Sequence, residues 1–283
     1  MVSARQDDIR TRLEALQQQY PQWQSILTVW EESLHALDDP LWQAMVPQLC
    51  MDRPAEAPLL AGATLGVDAR RVHRWVDRLV TVVGKYAASD TLAWVKGHFS
   101  QENALALLEA ALCQDQTRLV SLATVLGMSP PTLTSLAHLA VLPLLQACGI
   151  LLAPQISPTW SYTYCPICGA WPALAEVRGL DQTRRLRCAR CGADWHTPWL
   201  RCAYCGEGNH QRLGVLTPEA NGEARKVETC ATCKGYLKIQ ATIQALPAYA
   251  VALEDLATVA LDVVALDRDF TRPSPPAMHW HAA

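Results

Sequence analysis

Cys165-Pro166-Ile167-Cys168-Gly169, Cys188-Ala189-Arg190-Cys191-Gly192, Cys202-Ala203-Tyr204-Cys205-Gly206 and Cys230-Ala231-Thr232-Cys233-Lys234 decide how this chain is read. They hold eight of its eleven cysteines in four Cys-x-x-Cys pairs. Paired knuckles of this kind supply the ligands of four-sulfur metal sites. Nineteen residues lie between Cys168 and Cys188, within the range of a zinc ribbon, and twenty-four between Cys205 and Cys230. The region also repeats itself. Each first knuckle leads into a strand-like run, Ala173 to Val177 or Leu213 to Leu216, then a polar loop and a second knuckle. That repeat predicts sequential pairing: Cys165, Cys168, Cys188 and Cys191 form site 1, and Cys202, Cys205, Cys230 and Cys233 form site 2.

Gly169, Gly192 and Gly206 follow the second cysteine of three knuckles, where a positive φ is expected; Lys234-Gly235 delays the glycine by one in the fourth. Arg187, Arg190 and Arg201 are placed to offset the negative charge of the thiolates. His196 and His210 lie near the knuckles, but eight cysteines already fill two sites. Disulfides are the competing reading; no signal peptide opens the chain, so a cytoplasmic location with reduced thiols is expected. Four sulfurs suit zinc and a single iron equally, and intrinsic affinity favours zinc over ferrous iron. Such a site has no open position, so hydrolysis at the metal is not expected, and scaffolding or electron transfer remains. Metal binding worth about 10–16 kcal/mol in small zinc modules would be most of the folding energy of these ribbons.

The rest of the chain is bounded by composition. It has 283 residues, 50% of them hydrophobic, and a net charge of −3, enough for about two domains. Between Cys165 and Cys233 nine Lys and Arg face seven Asp and Glu, too small a basic excess for nucleic-acid binding. Residues 1–155 read as a helical domain. Ser3 opens a periodic run that Pro21 closes, and a second run extends to Leu37. Asp68 caps an amphipathic helix with Val72, Trp75, Val76, Leu79 and Val83 inward and Arg70, Arg71, Arg74 and Arg78 outward. The arginine stripe reads as a solvated face, with a partner surface as its sharper alternative. Further helices are expected at 91–98, 101–112 and 117–126. Leu133 to Ala153 is apolar enough to span a bilayer, about 20 residues. His138, Pro143 and Gly149 interrupt it and no basic flanks frame it, so a buried helix is expected and no membrane span. Cys50, Cys113 and Cys148 read as buried core thiols.

The fold class expected is therefore α plus small β: a helical bundle (1–155), two tandem rubredoxin-like or zinc-ribbon modules (160–199 and 200–245), a C-terminal helix (247–268) and a disordered Pro-rich tail (271–283). Trp160, Trp171, Trp195 and Trp199 flank the metal region and pack its core or shield its metals from water.

The runs Tyr164 to Gly169, Leu186 to Trp195, Trp199 to Gly206 and Glu228 to Lys238, with Leu253 to Asp262 after them, resemble the formate dehydrogenase accessory protein family, FdhE. The resemblance covers residues 160 to 272. It implies a cytoplasmic, non-enzymatic maturation factor that binds the catalytic subunit of formate dehydrogenase. It also implies rubredoxin-like iron at both four-cysteine sites, with zinc as the alternative. A homo-oligomer stays open, and the local charge leaves no nucleic-acid partner expected. A structural zinc-ribbon adaptor without redox function is the competing reading.

Overall fold

In the computed structural model, residues 2–85, 99–217, 224–274, 276 and 281–282 are described; the helix expected at 91–98 lies outside them. The chain divides into two units, the first made of residues 1–53, 60–151 and 277–283 and the second of residues 54–59 and 152–276.

The first unit is helical. Helices α1 (Val2–Gln19) and α2 (Gln24–His35) are separated by a 3-10 turn at Pro21–Trp23, and α3 (Pro40–Ala44) follows a second such turn. Pro21 ends the first run because it has no N–H to continue the ladder. The helix α4 (Ala69–Gly84) starts where Asp68 accepts the N–H groups of Arg70 and Arg71 at 3.0 and 3.3 Å. It buries Val72, Trp75, Val76, Leu79, Val80 and Val82. Ser100 and Asp115 cap α5 (Gln101–Cys113) and α6 (Gln116–Val125) in the same way. The apolar run forms one continuous helix, α7 (Pro130–Leu152), which contains Pro143. By length and composition α7 could cross a membrane; 78% of its apolar window is buried within the protein. Cys148 is buried as expected, whereas Cys50 and Cys113 are only partly so. The short β1 (Thr64–Leu65) pairs in parallel with β8 (His281–Ala282).

The second unit is built on one sheet. Its strands are β2 (Leu174–Arg178), β3 (Thr183–Arg187), β4 (Asp194–His196), β5 (Leu213–Leu216), β6 (Arg225–Cys230) and β7 (Tyr236–Thr242), in spatial order β4-β3-β2-β7-β6-β5. Each module is an antiparallel three-strand meander. The modules join where β2 pairs in parallel with β7, in the register Leu174↔Lys238 to Arg178↔Thr242. The first strand of one meander thus lies beside the third strand of the other, a head-to-tail repetition of one unit. The two expected ribbons are present, fused into a continuous six-stranded sheet. Pro54–Leu59, expected in the helical domain, belongs with the sheet unit. The Leu59 N–H donates to the Pro166 carbonyl at 2.8 Å, and the Tyr164 hydroxyl donates to the Glu56 carbonyl at 2.7 Å.

The C-terminal helix expected over 247–268 is two helices, α8 (Ala250–Ala257) and α9 (Val259–Leu266), broken at Thr258. Two contacts explain the break. The Thr258 hydroxyl donates back to the Glu254 carbonyl at 2.8 Å, and the Asp255 carbonyl accepts Lys238 Nζ at 2.6 Å. Leu261 and Ala265 of α9 pack on Val227 and Tyr236 of the sheet.

The tail expected to be disordered from Thr271 is ordered through Ser274. Thr271 N–H donates to the Lys234 carbonyl at 2.8 Å, and Trp171 Nε1 donates to the Ser274 carbonyl at 2.9 Å. Between them Arg272 closes a charged box. Lys238 Nζ meets Asp255 at 2.7 Å and Asp262 at 2.8 Å, and Arg272 meets the same carboxylates at 2.5 and 2.9 Å. The Tyr236 hydroxyl donates to Asp262 at 2.7 Å. Two cations and two carboxylates cancel, so four charges are held around the nearly inaccessible Lys238 without a net charge.

Burial opposes ionisation of Asp255, but Arg272 and Lys238 outweigh it and hold the carboxyl below its ordinary range. Asp255→Asn is therefore expected to destabilise the protein by about 3 kcal/mol at pH 7, as removal of one partner of a buried pair does. Because the folded pKa is depressed, this contribution is complete above the unfolded value of about 3.9 and disappears as pH falls through the folded value. Urea unfolding of both chains between pH 7 and 3 checks this. The gap between them should hold down to about pH 4 and close below it; no gap at pH 7 would refute the role of the box.

Candidate metal centres

The four knuckles share one backbone turn. The first cysteine of each donates its N–H to the carbonyl five residues on: Cys165 to Ala170 at 2.8 Å, Cys188 to Ala193 at 3.0 Å, Cys202 to Glu207 at 2.9 Å and Cys230 to Gly235 at 2.9 Å. In three knuckles the intervening glycine, at φ between 71° and 74°, donates back to the first cysteine's carbonyl. A residue with a Cβ resists that left-handed conformation. In the fourth knuckle the turn is not delayed by one: Lys234 itself takes it, at φ 57°. Gly235 is required for a different reason. A Cβ there would stand 2.8 Å from the Tyr204 ring and 3.1 Å from Cys233 Sγ, and its N–H points at that sulfur at 3.4 Å.

Site 1 gathers Cys165, Cys168, Cys188 and Cys191, all buried, with every Sγ within 4.8 Å of the others. The Cys165–Cys191 and Cys168–Cys188 sulfurs are 3.4 and 3.6 Å apart. A tetrahedron of sulfurs bonded at about 2.3 Å to one ion has edges of about 3.8 Å, whereas a disulfide needs about 2.05 Å. All eleven cysteines are unbridged. Burial pushes the Cys165 and Cys191 thiols well up, while hydrogen bonds from Cys165, Cys188 and Cys191 hold Cys168 well down, with Arg190 acting in the same direction. A divalent cation is what allows all four to ionise in that space.

Of the expected cations, Arg190 faces site 1, but Arg187 serves the sheet. Arg187 pairs with the fully buried Glu176 at 2.6 Å and donates to the Leu246 carbonyl at 2.8 Å. Glu176 also pairs with Arg178, which in turn reaches Asp194 at 2.5 Å. Arg201 braces the third knuckle through Gly206, 3.2 Å away.

Site 2 gathers Cys202, Cys205, Cys230 and Cys233, again with all sulfurs within 4.8 Å. Cys202–Cys233 and Cys205–Cys230 are each 3.7 Å apart, close to the tetrahedral edge. Its setting differs from that of site 1. Cys202 and Cys230 are buried, Cys233 is half-buried and Cys205 is exposed. Burial raises Cys202 and Cys233. Burial acts the same way on Cys230, but the N–H groups of Cys233 and Thr232 outweigh it and lower that thiol. Neither His196 nor His210 joins a cluster; both are exposed.

Sequence reasoning missed the residues that tie the sites to the sheet. Tyr204, inside the third knuckle, donates to the Tyr236 carbonyl at 2.9 Å. A row of ring contacts runs from Tyr164, beside Cys165, to Trp171 at 6.5 Å and on to Tyr204 at 5.6 Å. Arg184 of the first meander pairs with Glu228 of the second at 2.5 Å. The spacing of Tyr164, Trp171 and Tyr204 around the knuckles was the available signal; the Arg184–Glu228 pair had none. Trp195 is buried and Trp199 is half-exposed, so the tryptophans do not form one uniform shell. Both donor sets fit a single divalent ion held by thiolates alone, site 1 sealed and site 2 open along one sulfur.

Residues 200–278 match the family model described as FdhE, C-terminal domain. A protein FdhE homolog of Stutzerimonas stutzeri is 34% identical over 116 residues, 40% of this chain and 37% of that one. A protein FdhE homolog of Pseudomonas aeruginosa is 36% identical over 126 residues, 41% and 40% of the two chains. These matches span well under half the length of those relatives. The crystal structure of the FdhE protein from Pseudomonas aeruginosa superposes with a TM-score of 0.58 at 23% identity, covering 94% of this chain and 92% of that one, and shows the same fold. The sequence likeness covers part of the chain, and the structural likeness is one of fold.

The asymmetry of the two centres is testable. In the metal-loaded protein, iodoacetamide followed by peptide mass mapping should modify Cys205 ahead of every other knuckle cysteine and spare Cys165, Cys168, Cys188 and Cys191. Gly235→Ala should cost one metal equivalent and expose the site 2 cysteines while site 1 stays protected. Equal labelling of both clusters, or full metal in the variant, would contradict the geometry.

Proposed function

We propose that this chain is a formate dehydrogenase accessory protein, a cytoplasmic maturation factor rather than an enzyme, that binds the catalytic subunit of formate dehydrogenase. In this reading Cys165, Cys168, Cys188 and Cys191 hold one iron, and Cys202, Cys205, Cys230 and Cys233 hold a second. The likeness to FdhE proteins supports the role. The observation that carries it is the pair of four-cysteine clusters built into one sheet, one of them reaching the surface through Cys205.

The chain's own residues favour electron exchange at site 2 over hydrolysis. Four thiolates complete the coordination, so no position is left for a substrate or water. N–H groups of Tyr204 and Gly235 point at Cys202 and Cys233, 3.4 Å away, and such bonds tune the potential of a sulfur-ligated iron. Iron, when bound, supplies one-electron chemistry. Site 1, sealed within the sheet unit, has a structural setting; the second reading, a zinc-ribbon adaptor without redox function, draws its support from that burial.

Metal content and the visible spectrum of protein purified anaerobically without added metal separate the two readings. About two irons per chain, with sulfur-to-iron charge-transfer bands that respond to redox state, are expected. Cys165→Ser and Cys230→Ser should each remove one equivalent. The tagged protein should also retain the formate dehydrogenase catalytic subunit from a lysate. A colourless, redox-silent zinc protein would replace the iron reading with the adaptor, and failure to retain the subunit would refute the maturation role.

A further inference from the structure

The arginine stripe of α4 is exposed, as a solvated face is. It borders a cavity of about 560 Å³ within the first unit, lined by Arg71, Arg74 and Arg78 together with His35, Trp42 and Trp75. That volume is the size of a small-molecule site. Trp42 and Trp75 contribute two nearly buried indoles in edge-to-face contact, with centroids 5.6 Å apart. Trp75 Nε1 donates to the Ala140 carbonyl at 2.9 Å. Trp42 is 3% exposed, and its indole N–H is buried with no acceptor among the described residues. A buried donor without a partner is costly and marks a place where an acceptor belongs.

The charges at the rim differ in how firmly they are engaged. Arg78 pairs with Glu32. Arg71 pairs with Asp68 at 3.3 Å, but both are half-exposed and three residues apart on one helix, an arrangement worth little in water. Asp39 also lines the cavity, where its carboxylate accepts the Leu41 N–H at 2.9 Å as the cap of α3. Arg74 has no carboxylate partner among the described residues. One uncommitted guanidinium and one weakly held neighbour therefore stand over an apolar indole floor. Guanidinium groups take carboxylates and phosphates in forked geometry, and indole faces take flat apolar groups.

From this arrangement we infer that the cavity binds a small oxyanion on a flat apolar body, a phosphate ester or a carboxylate of an aromatic group. Arg74, supported by Arg71, grips the oxyanion, and Trp42 and Trp75 floor the site beneath the apolar part. An extended acidic peptide is disfavoured because the lining is concave and local, with its cationic side chains on one stretch of α4. The site is independent of the cysteine clusters, so its test needs no metal readout.

The test is calorimetric titration of the full-length protein with AMP and, separately, with indole-3-carboxylate; adenosine serves as the control that lacks an anion. At least one anion should bind with 1:1 stoichiometry, and adenosine should bind at least tenfold more weakly than that anion. The arm that binds tells a phosphate from a carboxylate. Arg74→Ala should weaken the interaction at least tenfold. Arg70→Ala, on the same helix but outside the lining, should leave it unchanged, and circular dichroism of both variants should match the parent. Three results would each overturn the inference: no saturation by either anion at millimolar concentration, equal loss in the two arginine variants, or binding of adenosine as tight as that of the anion that binds.

Discussion

Four sulfurs within 4.8 Å of one another cannot all carry charge unless a cation sits among them, and the sheet unit is organised around meeting that condition twice. The knuckle turn brings two sulfurs together locally. Bringing two knuckles together takes a hairpin. The meander therefore follows from the coordination requirement: β2–β3 carries site 1 between its ends, and β5–β6 carries site 2. Short strands with little core of their own would stand poorly alone. The parallel β2–β7 ladder instead lets each meander cover an edge of the other.

Around this frame the protein pairs its buried charges in groups. Glu176 meets Arg178 and Arg187 beside site 1, and Lys238 with Arg272 meets Asp255 and Asp262 beneath site 2. The first group also holds the distant Leu246 backbone, and the second fastens the C-terminal helices and the following segment to the sheet. Because each partner is costly to leave alone, such groups specify an arrangement more than they stabilise it. Tyr204 shows how tightly the pieces interlock. Its ring rests over Gly235, its edge meets Trp171, and its hydroxyl holds the Tyr236 carbonyl, whose own side chain reaches Asp262.

What could be read from the sequence was what is encoded locally. Cys-x-x-Cys spacing, the strand runs after each first knuckle, the Asp68 cap and the inward face of α4 all depend on neighbours a few residues apart. The parallel pairing of Leu174 with Lys238 leaves no local trace, because either strand would read the same beside another partner. Charges gave the same difficulty: nothing near Lys238, Asp255 and Asp262 in the sequence says that they meet, and only the fold brings them together. Arg272 was hidden by the prolines around it, which suggested disorder. At Lys234 a general rule about glycine pointed one residue too far, since the turn geometry outweighs the modest strain of a left-handed lysine.

The two clusters share a ligand set and a knuckle design but differ in what can reach them. A sealed cluster loses its metal only through opening of the sheet around it, so site 1 is coupled to the stability of the whole unit. A cluster with Cys205 at the surface meets solvent, small thiol reagents or a docked protein without any unfolding. One repeated unit therefore supplies both a fastening and an exposed edge. The difference arises from position in the repeat. The ladder to β7 covers the β2 edge of the first meander, while β5, the equivalent strand of the second, ends the sheet with Val215 exposed. Access from solvent is therefore to the second centre, while the first lies sealed within the same sheet.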